Sequence, residues 1–112
     1  MKLRASHKIV SALLGALTLR SGGTVWAADG AELFVAHCAP CHGTDGKART
    51  PAGKKLGAKD LSESKLADAA IEKQIFDGLK DAKGAERMPS FKAKLAPDEI
   101  AAVVVFVKTF RR

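Results

Sequence analysis

Cysteine is scarce in this chain. Two occur among 112 residues, Cys38 and Cys41, and only two residues separate them. A disulfide between such close neighbours closes a tiny loop and constrains little of the unfolded chain, so bridges are not what stabilises it. Long apolar runs are missing too. The mostly apolar stretch Ile9 to Leu19 is 11 residues long, well short of the roughly 20 needed to cross a bilayer. Acidic residues are absent before Asp29, whereas Lys2, Arg4 and Lys8 precede that stretch. A basic start, a short apolar run and the small residues Val25 and Ala27 around Trp26 read as a secretory signal over residues 1–27, cleaved after Ala27. An uncleaved N-terminal anchor is the alternative.

Cleavage leaves residues 28–112, 85 residues, which make one small domain with neither Tyr nor Trp and with no stable membrane span. This region holds 15 Lys+Arg against 12 Asp+Glu, a net charge of +3 rather than the +7 of the whole chain. So mild a balance, in an exported protein, lends nucleic-acid binding little support. It fits docking to an acidic protein surface, and it is also common among soluble proteins. In a Gram-negative host the compartment is the periplasm.

What is present is the run Cys38-Ala39-Pro40-Cys41-His42. Two cysteines at this spacing, directly before a histidine, form a covalent c-type haem attachment site. Each thiol adds across one haem vinyl group, and His42 supplies the proximal axial ligand to the iron. A domain of this size has a thin core and often needs a staple such as a cofactor, so the apo form is expected to be largely unstructured. Two rival readings share the same residues. A thiol oxidoreductase would use the cysteines as a redox dithiol, but that class needs a βαβ setting. A zinc site would use Cys38, Cys41 and a histidine, but structural zinc usually takes four ligands from two separated pairs.

The pattern along the chain predicts helices. Ala31 to Cys41 reads as a first helix, with Gly30, Phe34 and Cys38 on one face. Residues 43–59, rich in Gly, read as a loop, and 61–66 as a short turn of helix. A second helix is expected from Ala69 to about Asp77, capped by Asp68 and stopped at Gly78. Residues 80–94 read as a polar loop. Pro97 opens a last helix, in which Ile100, Val103, Val104 and Val107 repeat at helical spacing and Phe106 and Phe110 add a second row. Its valine run could suggest a strand, but no partner strand is apparent. The fold class is all-α: three to four helices and long loops wrapped around one haem.

Met88 is the only methionine beyond Met1 and lies 46 residues after His42, beside Pro89. A thioether opposite His is a haem ligation that raises the reduction potential; the plainer reading is a Met filling a gap in a core. His37 shares the proximal helix and reads as a surface or packing residue. Lys83 and Lys92 are other conceivable ligands, but strongly hydrated ones.

On these residues the chain resembles the class I c-type cytochromes, small monohaem electron carriers. Gly30, Phe34 and the Cys38-to-His42 motif match the family's N-terminal helix. Met88-Pro89-Ser90-Phe91 matches its distal loop, and Ala96 to Phe110 its C-terminal helix. The resemblance implies the cytochrome c fold, with Phe106 packed near Gly30 where the two helices cross. It implies one haem c held through Cys38 and Cys41, with iron bound by His42 and Met88. It also implies an exported one-electron carrier rather than an enzyme, a monomer working with redox protein partners. A loop carbonyl is expected to accept the proximal imidazole N–H, with Pro51 as the candidate. Without Tyr or Trp, backbone amides or a side chain such as Arg87 or Lys54 must meet a haem propionate. Ala96 stands where a Ser or Thr cap is usual, so that cap is weak. Two basic groups, Lys47, Lys54, Lys55 and Lys59 after the motif and Lys80, Lys83, Arg87, Lys92 and Lys94 around Met88, are expected near a haem edge, where they would steer docking to acidic surfaces. The functional alternative is a haem-based sensor or weak peroxidase with a labile Met88 ligand.

Overall fold

A computed structural model describes Gly15 and residues 29–112. Apart from Gly15, the signal expected over 1–27 and its cleavage site lie outside the described residues. The domain begins with a cap: the Asp29 carboxylate accepts from the N–H groups of Ala31 and Glu32 at 3.0 and 3.3 Å and starts α1 (Gly30–His37). The helix expected to run unbroken to Cys41 stops at Cys38, whose φ of −114° separates α1 from α2 (Ala39–His42). Pro40 is the reason. It has no N–H for the ladder, and its ring crowds the carbonyl four residues earlier.

The loop expected over 43–59 contains a further helix, α3 (Pro51–Leu56). Thr50 caps it, its Oγ accepting from Gly53 N–H at 2.9 Å and donating to the carbonyls of Pro40 and Cys41 at 2.8 and 2.9 Å. Pro51 sits where proline suits a first turn, and Gly57 ends the helix in the left-handed region. A 3-10 turn covers Leu61–Glu63, within the turn expected at 61–66. Then α4 (Asp68–Asp77) begins one residue earlier than expected, with Ala67 as the cap residue. Asp68 therefore lies inside the first turn, where it meets the helix dipole and pairs with Lys108 Nζ at 2.9 Å.

Residues 80–94, expected as loop, open with a two-stranded antiparallel hairpin: β1 (Leu79–Lys80) and β2 (Glu86–Met88), with Leu79 opposite Met88. Strands of two and three residues are too short to show an alternating pattern. The turn is organised by Asp81, whose carboxylate accepts from Lys83 and Ala85 N–H, each at 2.9 Å, and pairs with Arg87 at 3.0 Å. Last comes α5 (Pro97–Lys108). Ala96 has no side-chain acceptor, but the Glu99 carboxylate reaches back to its N–H at 2.9 Å, supplying half of a capping box.

The described architecture is mostly helical, and its core lies where α1 crosses α5. A Cβ on Gly30 would collide with the Ala102 carbonyl and lie 3.1 Å from Phe106 Cβ, so only glycine lets the helices approach this closely. Phe34 is fully buried, its ring centroid 5.3 Å from that of Phe106 and 5.1 Å from that of Phe110. From α5, Ile100, Val103, Val104 and Val107 face inward, and Ile71 and Ile75 meet them from α4. The valine run is thus helical: Val103 and Val104 belong to the buried stripe with Ile100 and Val107, and Val105 faces outward.

Gly30→Ala should force the two backbones apart. Overpacking of this kind costs about 1–3 kcal/mol, and each kcal/mol lowers the melting temperature of a domain this size by about 4–8 °C. Thermal unfolding followed by circular dichroism checks this.

Candidate functional site

Beside this core opens a cleft of about 860 Å³, toward the upper end of the range typical of ligand sites. Its walls are apolar: Phe34, Leu61, Ile71, Phe91, Val103 and Val107 all contribute. Cys38, Cys41, His42 and Met88 line the same cleft, so the four residues singled out by the sequence are brought together. The break at Cys38 places Cys41 and His42 on α2 beside it. Cys38 is buried, Cys41 is half-buried, and both thiols are free.

The His42 ring is oriented from behind. Its Nδ1 lies 3.0 Å from the carbonyl oxygen of Lys59. A carbonyl can only accept, so Nδ1 carries the proton and Nε2 keeps its lone pair for a metal. This corrects the expectation of Pro51, which opens α3 instead. Burial lowers the His42 pKa below the usual imidazole value while the Lys59 hydrogen bond opposes it, a balance that favours the neutral, ligating form. Burial, with the adjacent Cys41, pushes the Cys38 thiol up to about 11. A thiol so reluctant to ionise is a poor redox nucleophile, which weighs against the dithiol reading. Among the described residues no group of three or more His, Cys, Asp or Glu side chains converges as a zinc site would require.

Met88 is half-buried at the end of β2, and backbone contacts pin the chain around it. Gly78, at φ +73°, lets the Met88–Ser90 backbone lie so close that a Cβ would come within 2.8 Å of Pro89. Ser90 Oγ donates to the Phe76 carbonyl at 2.6 Å, and Phe91 N–H donates to that of Ile75 at 3.0 Å. The Met88 loop is thereby fastened to the end of α4. His37 packs its ring edge-on to Phe91, centroids 6.0 Å apart, and also lines the cleft.

Of the basic residues expected near the cleft, Lys59, Lys80 and Arg87 line it; Lys65, in neither expected group, joins them. Lys54 is exposed on α3 and does not, so of the two side chains considered for a propionate only Arg87 lines the cleft, where it is paired with Asp81. Lys94 lies 5.8 Å over the Phe91 ring. Sequence reasoning missed the Lys59 carbonyl and the parts played by Asp81 and Ser90. Asp81 had a readable signal, an Asp followed by Gly84 in a short polar stretch; a backbone acceptor has none. Paired free thiols, a neutral imidazole, a thioether and apolar walls suit a flat, largely apolar macrocycle holding a soft-ligated iron.

Comparison with known proteins points the same way. Residues 26–107 match the family described as cytochrome C oxidase, cbb3-type, subunit III. The chain is 36% identical to cytochrome c6 of Gloeothece citriformis over 89% of this chain and 91% of that protein. It is 34% identical over 79% of its length to the cbb3-type cytochrome c oxidase subunit FixP of Azorhizobium caulinodans, of which it spans 28%. The solved KustC0563 c-type cytochrome superposes with a TM-score of 0.64 at 36% identity, covering 75% of this chain and 99% of that one.

The hairpin that carries Met88 should be acid-sensitive. Backbone hydrogen bonds from Ala85 and Lys83, then Arg87, hold the Asp81 carboxyl below its usual value of 3.8. Because the folded value is the lower one, this contribution is complete above 3.8 and is lost as the pH falls through the lowered folded value. Amide exchange at Lys83 and Ala85 should therefore quicken, relative to the intrinsic rate, only at such acid pH, and Asp81→Asn should quicken it severalfold at neutral pH.

Proposed function

The chain belongs to the class I c-type cytochromes, within the family described as cytochrome c oxidase, cbb3-type, subunit III, and has the electron-carrier function and the single covalently attached haem and iron of that family; on that premise we propose that it is an exported shuttle whose iron is ligated by His42 and Met88. The observation that carries this reading is a single cleft in which a neutral imidazole, its Nδ1–H engaged by Lys59, shares the walls with two free thiols and a pinned thioether.

Cys38 and Cys41 hold the haem covalently. Bound there, it supplies reversible Fe(III)/Fe(II) exchange. The chain's own part is to bind, orient and exclude water. The Lys59 carbonyl fixes the His42 ring and raises its basicity. The pinned loop presents the Met88 sulfur, and the apolar walls keep the site dry. Were His42 and Met88 both to bind the iron, no coordination site would be left open to a substrate, which favours carriage over catalysis. The fastening of Ser90 to Phe76 supports a held Met88 and weighs against the sensor or peroxidase reading.

Residues 1–27 act as the signal and 28–112 as the working domain, a periplasmic monomer. Among the described residues no helix is long and apolar enough to cross a membrane. Lys59, Lys65, Lys80 and Arg87 edge the cleft, and Leu66 and Leu79, each more than a third exposed, stand beside Lys65 and Lys80. An apolar contact flanked by cations suits a redox partner with an acidic docking surface.

A visible spectrum tests the core of this. Haem retained after acid-acetone treatment, sharp low-spin bands on reduction and a weak far-red band on oxidation are expected. Met88→Ala should keep the haem and lower the potential; an unchanged potential removes Met88 as a ligand. His42→Ala should yield no stable holo-protein. Electron transfer to an acidic partner should slow as salt rises, because screening shortens the reach of the rim charges; a rate indifferent to ionic strength removes the docking role.

A further inference from the structure

One side of the cleft has little structure of its own. Residues 59–66 run along it, and Leu61, Glu63, Lys65 and Leu66 line it. The first half of this wall is tied down: Lys59 receives His42, and Leu61 N–H donates to the Gly46 carbonyl at 2.7 Å. In the second half, the bonds made by Glu63, Ser64 and Leu66 N–H all stay within three residues. Its polar ties to the rest of the domain, among the described residues, come from the end of α5 and the residues just after it. Arg111 Nη2 donates to the Leu66 carbonyl, and Lys108 Nζ meets the Asp68 carboxylate at 2.9 Å. These ties span 45 and 40 residues of sequence. Arg111 is set into the structure rather than lying over it, since its Nε is buried and finds no partner among the described residues. The residue as a whole is only partly buried, and the contact its guanidinium makes is with the cleft wall.

We propose that Arg111, assisted by Lys108, is a positioning residue for the redox site: it latches the Glu63–Asp68 wall shut against water and so helps to set the potential. This rests on the haem reading above. Water entering beside the cofactor favours the more highly charged ferric state, so a loosened wall lowers the potential.

The test uses holo-protein and three variants. Arg111→Met keeps the side-chain length and removes every donor. Arg112→Met removes the same charge from the next position and serves as the control for charge alone. For Arg111→Met, amide exchange across residues 63–71 should rise roughly tenfold, the scale of one lost charge-assisted hydrogen bond, and the potential should fall further than in Arg112→Met. If exchange and potential match those of Arg112→Met, the proposal is overturned whatever happens to the melting temperature, because a merely structural role moves the latter alone. Should Arg111→Met give no folded protein, Lys108→Met decides: faster exchange over 66–71 with a lowered potential supports the latch, and no change in either overturns it. Wild-type protein without covalent haem or without the far-red band is a separate failure, that of the ligand assignment, and takes the latch's effect on the potential with it.

Discussion

The distance between α1 and α5 governs the rest of the domain. At Gly30 the α1 backbone rests against the Ala102 carbonyl, a contact any side chain would prevent. That approach inserts Phe34 between Phe106 and Phe110, and one turn further along it delivers Cys38 to the cleft. The inward row of α5 then serves twice: Val103 and Val107 belong to the buried core and also line the cleft. Core and cofactor site are one apolar volume with a shared wall. A domain with a cleft opening onto its own core lacks side-chain contacts there, and a bound macrocycle would supply them.

Inside that volume, charge is kept away from the metal side. Burial disfavours an imidazolium at His42 and a thiolate at Cys38 alike. The ring is aligned by a neutral carbonyl rather than a carboxylate, so orientation is achieved without introducing a buried anion. The charges stand at the rim instead, Lys59, Lys65, Lys80 and Arg87 outnumbering Asp60 and Glu63. An apolar interior with a largely basic edge would separate two tasks: on the proposed reading, the dry walls and the ligands would set the potential, while the rim field would act on partners through solvent, where salt can screen it.

How much of this was legible follows from what leaves a mark in side chains. Cys38, Cys41 and His42 announce themselves by spacing, and Met88 by being the one thioether of its region. The α5 stripe is long enough for its period to show. The break at Cys38 was equally present, in Pro40, but the apolar face running from Gly30 to Cys38 suggested continuity. α3 went unread because six residues that include Gly53 carry no period, although Thr50, Pro51 and Gly57 mark its ends. The hairpin is shorter than the period that would reveal it. Lys59 could not have been found: the acceptor is its carbonyl, which every residue possesses, and only the path of the chain over 17 residues brings it to His42. The basic part of the cleft edge is partly legible, since Lys59, Lys80 and Arg87 fall in basic groups near the motif or Met88 and Lys65 stands apart from both.

The two sides of the cleft are not held with equal strength. His42 stands on α2, next to a cysteine of the motif and braced by Lys59. Met88 stands on a hairpin that owes its shape to one carboxylate turn and a few backbone contacts with the end of α4. Local opening in proteins starts where few buried contacts resist it, so partial loosening of this domain frees the thioether before the imidazole. Carrier and sensor then differ in degree rather than in kind. On the proposed ligation, Ser90, Gly78 and Asp81 would keep both ligand side chains in the cleft, and loosening them would release one. Which behaviour the proposed site would show is then decided by residues that are not themselves proposed as ligands.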